Sequence, residues 1–160
     1  MINALIGAAP PRESLSVADQ LVARGSELDR HSATSRHTLG VLRMFQWRWS
    51  EAEAGYRQAM ALIPNDPHPH MMYAHQCSFL GRHEEALQEA HKALHLSPVD
   101  SVVNFRLVQC FYFARRYDDT IRSARTTIEL APEFANTYTY LARALIETSQ
   151  PEEAWAIAGG

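Results

Sequence analysis

Residues Asp66 to Pro98 read DPHPHMMYAHQCSFLGRHEEALQEAHKALHLSP. Two helices and their punctuation can be read directly from this stretch. Asp66 before Pro67 offers an N-cap and a proline at the first helical position. Leu80-Gly81-Arg82 offers a glycine stop, and beyond it Ala86, Ala90 and Ala93 recur at spacings of three and four up to Leu96 and Pro98. The spacing predicts one helix over 67–80 and a second over 83–95, a helix-turn-helix with small residues on one side of its second arm.

The same pattern is found on both sides of this stretch. Pro64, Pro98 and Pro132 lie 34 residues apart, each two positions after a Leu (Leu62, Leu96, Leu130). At that period Leu39-Gly40, Tyr73-Ala74, Leu107-Val108 and Leu141-Ala142 align, as do Ala52, Ala86, Thr120 and Ala154. Two further columns read Tyr56, Ala90, Ala124, Ala158 and Ala59, Ala93, Thr127. Small residues recurring at helical spacing every 34 residues point to stacked helix pairs rather than one central core. Further helices are expected near 33–46, 50–62, 101–114, 117–129, 135–148 and 151–158, with Trp49-Ser50-x-x-Glu53 read as a capping box. Val17-Ala18, Val22, Gly25 and Leu28-Asp29 fit the second-helix columns of a preceding unit, which makes about nine helices. The expected organisation is a leader at 1–12, a half repeat at 13–32, units at 33–66, 67–100 and 101–134, and a truncated unit at 135–160. No segment shows the alternation of a strand.

Composition limits the possible roles. The chain has 160 residues, 46% hydrophobic, with 15 Lys and Arg against 18 Asp and Glu, a formal charge of -3. This profile suits a single soluble domain, and the acidic balance argues against non-specific nucleic-acid binding, which requires excess positive charge. The apolar start (Ile2, Ala4, Leu5, Ile6) is too short to span a bilayer and lacks the basic start of a secretory signal. Cys77 and Cys110 sit in apolar runs and read as buried, reduced thiols, in keeping with a cytoplasmic protein.

The columns resemble the tetratricopeptide repeat family over about nine-tenths of the chain. One unit carries Leu39-Gly40, Trp49, Ala52, Ala59 and Pro64, and the next Ala74, Ala86, Ala93 and Pro98. Departures occur at Arg43, His83, Thr120 and Thr127. The resemblance implies an all-α, right-handed superhelix of antiparallel helix pairs. The runs from Phe45 to Glu53, from Ala74 to Glu85 and from Phe111 also resemble repeat regions attached to bacterial winged-helix transcriptional activators, adenylate cyclases and receptor-type kinases. There the array serves as a regulatory or partner-binding segment.

In such a stack the first helix of each pair lines a groove. One stripe on these helices points away from the small-residue columns: Thr34, His37, Val41, Met44 and Phe45, then His68, Met71, His75, Ser78 and Phe79. It continues through Val102, Phe105, Gln109, Tyr112 and Phe113 to Asn136, Thr139, Arg143, Ile146 and Glu147. His37, Val41, Met44, Met71, His75, Phe105, Gln109, Tyr112 and Arg143 are the candidate ligand-binding residues. Related proteins that hold a C-terminal carboxylate use a clamp of Lys, Asn and Arg; here only Arg106 fits one. The apolar stripe suits an amphipathic helix or an extended apolar peptide instead. Phe45, Phe79 and Phe113 also read as packing between helices.

No cofactor is expected. His91 and His95 stand one turn apart, and His68, His70 and His75 cluster, but no third metal ligand stands at motif spacing, so these histidines read as surface and groove residues. Trp47 reads as folded over its own helix pair, and Arg115, Arg116, Arg122 and Arg125 as a solvated face partly paired with Asp118 and Asp119. With no G-x-S-x-G, P-loop or paired His and carboxylate, the reading is a non-enzymatic interaction module for a peptide or protein, without membrane insertion. Self-association is the alternative, motivated by Trp155 on a last helix with no polar helix after it.

Overall fold

The computed structural model describes residues 32–158, together with Gln20, which is helical. Of the expected leader and half repeat, only Gln20 and Ser32 fall among the described residues. Eight helices follow: α1 (Ala33–Phe45), α2 (Trp49–Leu62), α3 (Pro67–Phe79), α4 (His83–Leu96), α5 (Ser101–Phe113), α6 (Tyr117–Leu130), α7 (Ala135–Glu147) and α8 (Pro151–Ala158). They start and stop within a residue of the positions expected from the spacing, and no strand occurs among the described residues.

Each pair turns on the same device. Trp47, Gly81, Arg115 and Ser149 stand 34 apart and all take a left-handed backbone, with φ of 62°, 74°, 58° and 60°. In each turn the next residue's N–H reaches back to the carbonyl five before it: Arg48 to Arg43, Arg82 to Cys77, Arg116 to Phe111 and Gln150 to Leu145, at 2.8–2.9 Å. The left-handed residue itself bonds three back. This pairing satisfies the last carbonyls of the first helix and ends it. Glycine is the easy occupant of such a position, yet only Gly81 supplies one.

The helix starts are less uniform. Asp100 caps α5 by accepting from the N–H groups of Val102 and Val103, and Asp66 accepts from the N–H of His68 at 3.0 Å. At the equivalent place before α7 stands Phe134, which caps nothing and packs on Phe105 with ring centres 5.1 Å apart. The expected capping box at the start of α2 does not form. Helix α2 begins at Trp49, which puts Ser50 inside it; Arg48 is the N-cap and makes no side-chain cap bond. Glu53 pairs with Arg57 one turn on, at 2.9 Å.

The chain divides into two compact units, 1–69 and 70–160, where composition alone suggested one. A row of helix pairs has only neighbour-to-neighbour contacts, so no single core holds it together. In the first unit α1 packs on α2 around Leu42, Ala52, Tyr56 and Ala59, all buried. The helices cross at glycine: a methyl on Gly55 would lie 2.9 Å from the Arg36 carbonyl oxygen and 3.0 Å from the Gly40 backbone. A methyl on Gly40 would strike the Tyr56 ring at 2.7 Å. Arg43, placed where an apolar residue is usual, donates to Gln46 and lies 3.4 Å from Glu51.

In the second unit α4 packs on α5, α5 on α6 and α7, α6 on α7, and α7 on α8. One buried cluster joins Val108, Ile121, Ala124, Leu141, Ala144, Leu145 and Ala154; a second joins Met71, Ala93 and Val103. Each fully buried Leu or Val here contributes roughly 1.5–3 kcal/mol. Thr120 and Thr127 take alanine positions without an unpaired hydroxyl, because each donates to its own helix, to the carbonyls of Arg116 (3.0 Å) and Ser123 (2.8 Å). This contact makes the two departures compatible with the packing.

Candidate functional site

The first helices of the second unit carry an aromatic row. His75 stacks on Phe79 (centres 4.4 Å apart), Phe79 meets Phe113 edge-on (5.5 Å), and Phe113 meets Tyr140 (6.4 Å). The Arg143 guanidinium lies over the Tyr140 ring at 5.7 Å and ends the row. Tyr112 and Phe105 brace it from the side, each edge-on to Tyr140. The period places the rungs: Phe45, Phe79 and Phe113 close three successive first helices, 34 residues apart. Phe79 is 51% exposed while Phe113 and Tyr140 are half-buried, so the row opens to solvent at its Phe79 end. Ile146 is exposed on α7 as well.

Polar groups support the row from beneath. Gln109 accepts from Arg106 and donates to the Tyr140 hydroxyl at 3.0 Å, tying α5 to α7. Ser78 donates to the Cys110 sulfur at 3.4 Å and links α3 to α5. Burial, with the Arg106 charge adding to it, pushes the His75 imidazole down to about 2, so the ring is neutral at every physiological pH. Its Nδ1 is buried and has no hydrogen-bond partner among the described residues. Burial also raises the Cys110 thiol, against smaller opposing effects of the Ser78 hydrogen bond and Arg106. Both cysteines are buried and reduced, which leaves no exposed thiolate for chemistry.

The nine candidate residues fall into distinct settings. In the second unit Met71, Phe105 and Gln109 are buried, His75 and Tyr112 are half-buried, and Arg143 is exposed. In the first unit Met44 is buried and accepts from the Tyr56 hydroxyl at 3.7 Å, while His37 and Val41 are half-buried. His37 meets the rings of Tyr56 and His68 at 6.1 and 6.4 Å; burial lowers its pKa, with the His68 charge adding and Asp66 opposing. Tyr140 was absent from the sequence-based set, because its column (Thr38, Met72, Arg106, Tyr140) has no common chemical character. Phe79 and Phe113 stood in the stripe, and their 34-residue recurrence with Phe45 is the signal that marks them.

Other side chains resolve into local pairs. His68 Nδ1 lies 2.8 Å from Asp66, whose carboxyl is held down by two hydrogen bonds from His68 although burial opposes this. His70 Nδ1 lies 2.6 Å from Glu89, and that bond holds the Glu89 carboxyl below its usual range, with burial opposing and Lys92 assisting. Among the described residues no three His, Cys, Asp or Glu gather as a metal site. Arg116 and Arg122 pair with Asp119, and Arg125 pairs with Glu153. Trp47 is not folded over its helix pair: its left-handed backbone turns the side chain outward, 77% exposed, touching Trp49 edge-on at 5.3 Å. No helix among the described residues is long and apolar enough to cross a membrane.

No protein-family model matches the chain, and no curated protein matches it in sequence. Solved structures do match its fold. A crystal structure of MamA superposes with a TM-score of 0.74 at 15% identity, over 91% of this chain and 85% of that one. A second MamA crystal structure gives 0.73 at 15%, over 92% and 81%. MamA from residue 41 to its end, from Desulfovibrio magneticus RS-1, gives 0.74 at 12%, over 96% and 85%. At such identities the likeness concerns fold alone, and the fold is an all-helical repeat of the tetratricopeptide type.

Proposed function

We propose that the chain is a non-enzymatic interaction module that takes an apolar segment of a protein or peptide on the first-helix face. The observation that carries this reading is the aromatic row of exposed Phe79 with half-buried Phe113 and Tyr140, the last held by a hydrogen bond from Gln109. Large aromatics that are held rigid yet open to solvent lose little entropy on binding and bury much area. His75, Tyr112 and Arg143 border the row, Met71 and Phe105 shape it from within, and His37, Val41 and Met44 form the corresponding part of the first unit. The units at 33–66, 67–100, 101–134 and 135–160, the half repeat before them, the role as regulatory segment of a bacterial regulator, and a cytoplasmic setting belong to the same reading.

The test is selection of 16-residue peptides from a displayed library, followed by affinity measurement on the wild type and on Phe79→Ser/Phe113→Ser. Both changes fall on the open row, so helicity should persist. Apolar peptides that bind the wild type and weaken at least ten-fold on the double variant support the reading; equal binding to both overturns it. A second reading, self-association, rests on Trp155, 76% exposed on α8. Sedimentation should then show a dimer that Trp155→Ala dissociates; a wild-type monomer at tens of micromolar removes this reading.

A further inference from the structure

The charges of the second unit are sorted by helix. The second helices carry the carboxylates Glu84, Glu85, Glu89, Asp118, Asp119, Glu129, Glu152 and Glu153, and most arginines on or beside those helices pair there, Arg82 with Glu85, Arg116 and Arg122 with Asp119, and Arg125 with Glu153, while Arg115 in the turn before α6 is exposed and makes no ion pair among the described residues. The first helices, from His70 onward, carry Arg106 and Arg143 against one acid, Glu147. Arg143 lies over the Tyr140 ring at 5.7 Å and makes no carboxylate ion pair among the described residues. Arg143 is exposed beside that ring, and a guanidinium can take a carboxylate in two parallel hydrogen bonds.

From this arrangement, and resting on the interaction reading above, we infer that the partner is an amphipathic acidic segment, an apolar run with Asp or Glu at one end. The apolar side chains lie across Phe79 and Phe113, and the carboxylate reaches Arg143. The position of the charge follows from the row itself: Arg143 stands at its α7 end, and at the other end His75 is half-buried against Phe79 and neutral. An acid in the middle of the run would lie over the apolar Phe113 ring, where it would lose water and meet no arginine of the row. A basic segment is disfavoured because the charge that ends the row is the exposed Arg143. The acidic choice also runs against the net charge of -3 for the whole chain, so it follows from this face and not from composition.

The test pans the displayed 16-residue library in parallel on the wild type, on Arg143→Glu and on Phe79→Ser/Phe113→Ser. The wild type should enrich peptides with Asp or Glu beside one end of an apolar run, and the winners should weaken about ten-fold on Arg143→Gln. Panning on Arg143→Glu should enrich Lys or Arg at that same end. Apolar winners without an end-placed acid, or winners indifferent to Arg143→Gln, overturn the acidic assignment and leave the aromatic face standing. Winners that bind the Phe79→Ser/Phe113→Ser variant as well as the wild type, or the absence of any winner, overturn both. Circular dichroism of each variant verifies that its helices are intact.

Discussion

The close crossing of α1 and α2 makes the sign of one substitution unusual. In an open helix Gly55→Ala would stabilise by about 1 kcal/mol, because glycine is the poorer helix former. Here the new methyl meets backbone on the facing helix, at 2.9 Å from the Arg36 oxygen and 3.0 Å from the N and Cα of Gly40. None of these atoms can rotate away, so α1 must retreat by several tenths of an ångström, which also disturbs the packing of Leu42 and Tyr56. Overpacking of this kind costs ~1–3 kcal/mol. Three backbone contacts at once put it in the upper part of that range, and the net effect is a loss of about 1–2 kcal/mol. The tryptophans allow the first unit to be followed separately: Trp47 and Trp49 lie in it and Trp155 lies in the second, where it is exposed and can be replaced by Phe with little effect. In that background the fluorescence melting midpoint should fall by roughly 5–12 °C on Gly55→Ala. A companion variant, Gly40→Ala with Tyr56→Leu, removes the ring that Gly40→Ala alone would strike and should recover part of the loss. An unchanged or raised midpoint for Gly55→Ala would refute the idea that glycine sets the approach of these helices.

The other predictions concern single sites. Arg115→Gly and Ser149→Gly should each stabilise by ~1 kcal/mol, since both residues sit at left-handed φ; Gly81→Ala should destabilise by a similar amount although its methyl meets nothing within 4 Å, and chemical denaturation would measure all three. Asp100→Ala should cost about 1 kcal/mol by removing the cap on Val102 and Val103, again read by denaturation. His75 sets a pH dependence: its folded pKa of about 2 lies below the unfolded value, so the unfolded chain takes up a proton that the folded one refuses, and stability falls as pH drops below about 6.5. By pH 5 the loss is roughly 2 kcal/mol, and denaturation across pH 5–7.5 should show a slope that flattens in His75→Gln; a slope unchanged in that variant would show that other groups govern it.

The residues that carried the period were the legible ones. Proline, glycine and small side chains recur because every unit needs the same stop and the same close contact, so eight helices could be placed to within a residue. Contacts made once were not legible. Gly55 has Glu89 and Ser123 in its column, and its importance comes from Gly40 across the helix crossing. Trp47 looked like packing because tryptophan is large and apolar, yet its backbone takes the turn position that aims a side chain outward. The capping box fails because the helix starts at Trp49, two residues before the Glu51 start that a Ser50 cap requires. At the candidate site the stripe on the first helices was visible from spacing, whereas the row linking Phe79, Phe113, Tyr140 and Arg143 depends on which side chain reaches across to the next helix.

The turn geometry bears on how this molecule can change in length. Every bond that closes a helix pair spans at most five residues of chain, from Arg48 to Arg43 or Gln150 to Leu145, so a turn carries its own closure wherever it is placed. A 34-residue segment such as 101–134 brings one such turn, one pair of helices and one closing Phe. Copying that segment in tandem would therefore add a rung to the aromatic row at its existing spacing, and excising it would remove one. Chain length thereby becomes a dial for the length of segment that can be read, and it turns in steps of a single repeat.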